Sequence, residues 1–386
     1  MNIKKIILTV CRILVGVLFI FSGFVKADDP LGFSYKLGEY FDVFGIDKFF
    51  PEPSTVYISM IICIFEMFVG VCLLIGVFRK FTAWMLMLMI VFFGFLTFYT
   101  AHYNKVTECG CFGDAIPFTA WQSFAKNVIL FILILPIFFS PKDINPIFSL
   151  RLARTVAISL LLASMLFTMY AYYYLPPIDF RPYKPGNDIK KLMETPPNAP
   201  KDSVVMTFIY TNKKTGKDME ITMDALSKMD SIGRQKLEDN YTFKDRRDKV
   251  IKEGYKPPIH DFSIQSQDSD VTKSFLSEKG YRLMIVQYDI EKSQSRFQPE
   301  LNQLVRELMK GGKVKIWPVS GSSVTLNEKY RKDFGVPYSF YSADVTVLKT
   351  IIRSNPGLVL FHDNVVVHDW PATALPSVST VYSYMK

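Results

Sequence analysis

The sequence predicts an α-helical membrane bundle followed by an α/β soluble domain, on three observations. Five apolar stretches precede residue 175, charged residues crowd after it, and the segment 281–370 alternates strand-like and helix-like runs.

The apolar stretches cover 6–25, 56–77, 81–101, 124–139 and 156–174. Each approaches the ~20 residues that cross a ~30 Å hydrocarbon core. The fourth is the shortest, and Trp121 is placed to extend it as an interfacial anchor. The first follows Lys4 and Lys5 and ends in Val25-Lys26-Ala27, a pattern shared with signal peptides. Its apolar run exceeds the ~7–15 residues of such segments and Arg12 interrupts it, so it reads as a retained membrane helix.

If the spans alternate, Lys4, Lys5, Arg79, Lys80, Lys142, Arg151 and Arg154 all fall on one side, which the positive-inside rule makes cytoplasmic. The segment 26–55, the loop 102–120 and everything after Tyr174 then lie opposite, in the periplasm of a Gram-negative cell. The expectation is a multi-pass inner-membrane protein with a periplasmic C-terminal domain and membrane lipids as its first partners. The net charge of +9 comes without a basic stripe interleaved with aromatics. A protein facing anionic lipid is therefore expected, and nucleic-acid binding is not.

Beyond Tyr174, Pro176, Pro177, Pro182 and Pro185 make a stiff juxtamembrane exit. Strand-like runs 204–210 and 218–222 flank Asn212-Lys213-Lys214-Thr215-Gly216-Lys217, which predicts a hairpin, with a polar helix from about Met223. Later come strand 281–290, helix 296–310, strand 314–319, helix 326–333 and a final hairpin of 357–362 with 365–370, in the order β-α-β-α-β-β. Four domains are expected: a bundle at 1–145, a further span at 146–175, a linker and small α+β subdomain at 176–255, and the α/β domain at 256–386.

Phe19-Ile20-Phe21-Ser22-Gly23-Phe24-Val25-Lys26-Ala27-Asp28-Asp29-Pro30, and Glu66 followed by Gly70 and Gly76, resemble the first two helices of DoxX and MauE-like membrane proteins. Cys109-Gly110-Cys111-Phe112-Gly113-Asp114 with Lys126-Asn127 resembles the loop of the methylamine-utilisation protein MauE type. The resemblance covers roughly 5–140. It implies a four-helix DoxX/MauE-like core, to which the fifth transmembrane helix is an addition, and a role in maturing periplasmic proteins through disulfide chemistry. A distant similarity to quinone-linked vitamin K epoxide reductases implies a membrane quinone as cofactor. The segment 259–370 resembles a thioredoxin-like domain, with Ile259-His260-Asp261-Phe262 at its entrance and Pro356 at the family's cis-proline. Where that family keeps its cysteines, this chain has Glu291-Lys292-Ser293-Gln294-Ser295-Arg296, so the resemblance implies a thioredoxin-like domain without a redox pair.

All five cysteines, Cys11, Cys63, Cys72, Cys109 and Cys111, precede residue 112. Cys109 and Cys111, one glycine apart on a loop assigned to an oxidising compartment, are the candidate redox pair. A structural disulfide is the alternative, and no Cys or His pair at zinc spacing accompanies them. Cys63, about 10 Å from the outer end of its helix at ~1.5 Å per residue, is a candidate relay thiol. Cys11 and Cys72 read as small packing residues. Arg12 and Glu66 are ionisable groups inside apolar spans, each costing about 2.5–3.5 kcal/mol at a helix centre, so both should face the bundle interior. On antiparallel helices they are expected to approach each other, as an ion pair or as a site for a quinone or proton. Lys26, Asp28 and Asp29 read as an interfacial charge cluster. The expected activity is that of a membrane thiol-disulfide oxidoreductase acting on a periplasmic client or redox partner. The alternative is a non-enzymatic scaffold with structural cysteines and a client-binding α/β domain.

Overall fold

The structure is a computed structural model that describes residues 3–103, 105–106, 113–116, 118–200, 203–252 and 254–385. The chain forms two compact units, Met1–Ile189 together with Asp261–Lys386, and Lys190–His260.

The first six helices are α1 (Ile3–Asp28), α2 (Pro30–Phe44), α3 (Glu52–Ile75), α4 (Arg79–Tyr103), α5 (Ala120–Phe139) and α6 (Leu150–Tyr174). All but α2 are long and apolar enough to cross a membrane, as the hydropathy predicts, and the protein is a multi-pass membrane protein. Local capping explains why the helices outrun the apolar stretches. Thr119 and Gln122 form a reciprocal capping box that starts α5 at Ala120, and Gly76, at φ 82°, ends α3 in the left-handed conformation. The hydropathy does not predict helix α2, because its composition is too mixed to register as a span. Its cues are nonetheless local: Asp29 caps it by accepting from the Gly32 amide, Pro30 opens it, and Gly45 closes it at φ 68°.

Helices α1 and α3 pack antiparallel at close range, since a Cβ added at Gly70 would lie 2.9 Å from the Gly16 carbonyl oxygen. Gly16 faces Gly70 and Gly23 faces the Cys63 carbonyl, which sets the register of the pair. Small residues at such crossings let backbones approach where lipid supplies no hydrophobic driving force. Around this pair the core holds Val15, Phe19, Val69, Leu73, Leu86 and Ile134. Helix α6 joins through Ala153 and Ala157, packed beside Cys72.

The unit Lys190–His260 contains most of α7 (Ile189–Met193), then β1 (Ser203–Asn212), β2 (Asp218–Thr222), α8 (Met223–Ser227), α9 (Ser231–Asn240) and β3 (Tyr241–Lys252). Its antiparallel sheet has the order β2-β1-β3. The hairpin and polar helix follow the sequence reading. Strand β3 does not, because Lys244, Asp245, Arg246, Arg247 and Asp248 hide its alternation; it is an edge strand, where such charges discourage further pairing.

The C-terminal region comprises α10 (Thr272–Ser277), β4 (Tyr281–Gln287), α11 (Gln298–Gly311), β5 (Lys315–Ser320), α12 (Val324–Asp333), β6 (Tyr341–Ser342), α13 (Val345–Ile351), β7 (Gly357–His362), β8 (Val365–Pro371) and α14 (Val378–Ser383). The sheet order is β6-β5-β4-β7-β8, with β5 parallel to β4 and β7 antiparallel to it. The predicted β-α-β-α-β-β order corresponds to β4, α11, β5, α12, β7 and β8; two-residue β6 and α13 are additions. The middle of central strand β4, Leu283 to Val286, is apolar on both faces because helices and loops cover both, with Leu283 and Ile285 packed against Leu301, Val305, Leu358 and Leu360. The Asn355–Pro356 bond ahead of β7 is cis.

Candidate functional site

The register of α1 against α3 decides which buried charges meet. Gly16 faces Gly70, so Arg12, one turn earlier, reaches the last turn of α3. There Nε donates to the Leu73 carbonyl at 2.9 Å, Nη2 to Leu74 at 2.6 Å, and Nη1 to Asn145 at 2.9 Å. These acceptors include carbonyls that a helix C-terminus leaves without intrahelical partners. Glu66, some two turns away along α3, is out of its reach. The expected approach of Arg12 to Glu66 is therefore corrected: the partner of Glu66 is Lys26, at 2.7 Å.

The sequence places Lys26 in an interfacial cluster, yet its side chain is 2% exposed and that of Glu66 4%. The ammonium also donates to Ser22 Oγ at 2.9 Å and lies 4.7 Å from the Phe93 ring centroid. The lysine stem is long enough to carry the charge down from the end of α1, a reach that sequence position does not reveal. Beside the pair, Asn127 Nδ2 donates to the Phe93 carbonyl at 3.2 Å and to Thr97 Oγ1 at 3.1 Å. Lys26 thus sits in a polar layer contributed by α1, α3, α4 and α5.

Two small clefts flank Lys26, one lined by Leu18, Ile90, Phe93 and Asn127, the other by Phe33, Leu37, Tyr40 and Thr97. Each has room for about one water molecule. Arg12 and Glu66 are both engaged by the protein, Arg12 with three backbone carbonyls and Glu66 with Lys26.

Cys63 lies one turn before Glu66 on α3 and is fully buried, and Cys11 and Cys72 are buried too; all three are free thiols. Buried thiols of this kind are inert to exchange. Cys109 and Cys111 lie outside the described residues. Their neighbours in sequence are placed: Val106 is buried against Tyr40 and Leu96, and a Cβ on Gly113 would be 3.7 Å from Val25 Cγ1. Both flanks of the cysteine segment therefore rest at the α2 end of the bundle, within a residue of Lys26 on one side and on α2 itself on the other.

The C-terminal sheet region meets the bundle at the same end. Arg353 Nε bonds Asp29 Oδ2 at 2.8 Å and Oδ1 at 3.1 Å, and Tyr35 OH donates to Tyr288 OH at 3.2 Å. Glu52, the first residue of α3, pairs with Lys292, and with Lys349 at 3.6 Å. Asp28 accepts from the Ile178 amide at 3.1 Å. Arg181, 2% exposed in its side chain, bonds Asp179 at 2.6 Å and Asp369 at 2.8 Å. Burial opposes its charge, but the hydrogen bond to Asp179 and the fields of Asp179 and Asp369 outweigh that and move its pKa up. Burial also pushes the Tyr288 phenol up to about 12, so at neutral pH the Tyr35–Tyr288 bond joins two neutral hydroxyls. The sequence names Lys26 as an interfacial charge and gives no sign of its buried role, and Tyr35, Tyr288 and Arg353 carry no signal of theirs.

Residues 4–140 match the model of the family described as methylamine utilisation protein MauE. This membrane half is MauE-like. Over 137 residues the chain is also 31% identical to Protein TlpB of Flavobacterium psychrophilum, which is 35% of this chain and 37% of that protein. The chain thus spans little more than a third of the curated relative it matches. Arg12, Lys26, Glu66, Asn127 and the cysteine segment all fall within the MauE-like stretch, whereas α6 and the sheet region lie beyond it.

Proposed function

We propose that this MauE-like membrane protein supports thiol-disulfide exchange in the maturation of client proteins through Cys109 and Cys111. The observation that carries the reading is the Cys109-Gly110-Cys111 spacing in a segment whose two flanks, Val106 and Gly113, pack on the α2 end of the bundle. The basic residues at the other ends of the spans support a reading in which that end faces the periplasm from the inner membrane, an oxidising compartment.

In exchange, a thiolate of the client or of the pair attacks a disulfide sulfur, a mixed disulfide forms, and the second thiol resolves it. Two electrons and two protons pass between pair and client, so the step itself needs no further oxidant. Cys63 has no part in this cycle while it stays buried. The sheet region, read as thioredoxin-like from its β5-β4-β7-β8 order, has no cysteine and contributes no exchange of its own.

Cys109→Ser and Cys111→Ser are each expected to lose as much function as the double variant, because groups acting as a unit are strongly non-additive. The assay is client maturation in a deletion strain complemented with each variant at matched membrane abundance. Full complementation by the double serine variant would leave the scaffold reading in place of this one. That second reading is favoured by one observation: the sheet region is tied to the bundle by several ion pairs, as a scaffold would require.

A further inference from the structure

Open α/β sheets take ligands in the crevice outside the carboxyl ends of their parallel strands. In the C-terminal sheet of this protein that crevice lies beyond β4, where Tyr288 to Lys292 follow the strand. The segment 352–356 ahead of β7 lines it, held there by Asn355 Nδ2 donating to the Asp289 carbonyl at 2.6 Å. The crevice is filled by another part of the same chain. Tyr35 of α2 enters it, bonded to Tyr288 OH, with Lys349 Nζ 4.3 Å and Arg353 Cζ 5.7 Å from its ring centroid.

We infer that this edge is a docking surface built for the chain's own α2 and the start of α3, so that the sheet region is a fixed cap on the bundle and not a mobile client-binding arm. Charge complementarity selects the occupant. The sheet side presents three cations, Lys292, Lys349 and Arg353, and the membrane side presents two carboxylates, Asp29 and Glu52, paired with them. Arg353 and Tyr288 are buried in the contact, at 7% and 9% exposure. A second attachment on the α6 side acts in the same direction. Thr373 Oγ1 donates to the Tyr173 carbonyl at the end of α6, and the Ile178 amide just beyond it donates to Asp28. With both sides held, the crevice beyond β4 is closed to a client.

The test uses the full chain in native membranes and a readout free of thiol chemistry, so that failure of the exchange reading leaves it untouched. With p-benzoylphenylalanine in place of Tyr288, irradiation should give an internal cross-link to the peptide 30–44, identified by mass spectrometry. Arg353→Glu should abolish that cross-link and Arg353→Lys should retain it. The same photoreactive residue in place of Lys349 gives an independent second position if the first variant does not accumulate. Adducts formed only with other proteins, or an internal yield indifferent to Arg353→Glu, would overturn the inference.

Discussion

Lys26 and Glu66 are buried in each other's company, their side chains 2% and 4% exposed. Removing one partner of such a pair leaves an uncompensated buried charge, at a cost of about 3–5 kcal/mol, while replacing both by apolar groups of similar shape is close to neutral. Lys26→Met or Glu66→Leu alone should therefore lower the unfolding midpoint of the purified protein in detergent sharply, and the double replacement should recover most of it. Single variants as stable as the parent would remove the pair from the account of the bundle. Arg12 differs, because its three bonds to the Leu73, Leu74 and Asn145 carbonyls exploit the fork of a guanidinium, which lysine does not reproduce.

Two glycines separate packing from propensity among the helices. At Gly70 a Cβ would meet the Gly16 carbonyl at 2.9 Å, and backbone cannot swing aside as a side chain would. Gly70→Ala should destabilise the α1–α3 pair by about 1–3 kcal/mol, the usual cost of overpacking. Gly38, inside α2, has nothing within 4 Å of its added Cβ. Gly38→Ala should stabilise by about 0.5–1 kcal/mol through the unfolded chain and helix propensity. Both are read from thermal unfolding of the solubilised protein, and equal effects at the two sites would show that α1 and α3 do not approach as closely as described. Helix α2 also has two occupied sides: Tyr40 bonds Thr100 of α4 at 2.6 Å, and Tyr35 reaches Tyr288.

Because the sheet region and α2 meet at one end of the bundle, all of that end should share a compartment. A C-terminal alkaline phosphatase fusion should be active, and a fluorescent protein fused at the same point and exported by the general secretory route should be dark. The reverse pattern would invert the assignment of every loop. The same placement explains how the chain combines a thiol-bearing membrane half with a cysteine-free C-terminal region: the second needs no thiol if it caps the first.

Local features of the chain are legible in the sequence alone. The five spans, the hairpin at β1 and β2, and the order of β4, α11, β5, α12, β7 and β8 follow from hydropathy and from periods of 3.6 and 2, which each segment carries within itself. The confinement of every thiol to the first part of the chain is a property of the sequence alone. The identity of each buried charge's partner was not legible. Lys26 meets Glu66 across 40 residues and Arg353 meets Asp29 across 324, and those meetings depend on helix register, side-chain reach and the return of the chain to α2. An interior glutamate could be recognised by its cost in an apolar span. That its counter-charge is Lys26 and not Arg12 was decided by the closeness of Gly16 to Gly70, which slides α1 against α3 by about two turns relative to the pairing the charges alone suggest.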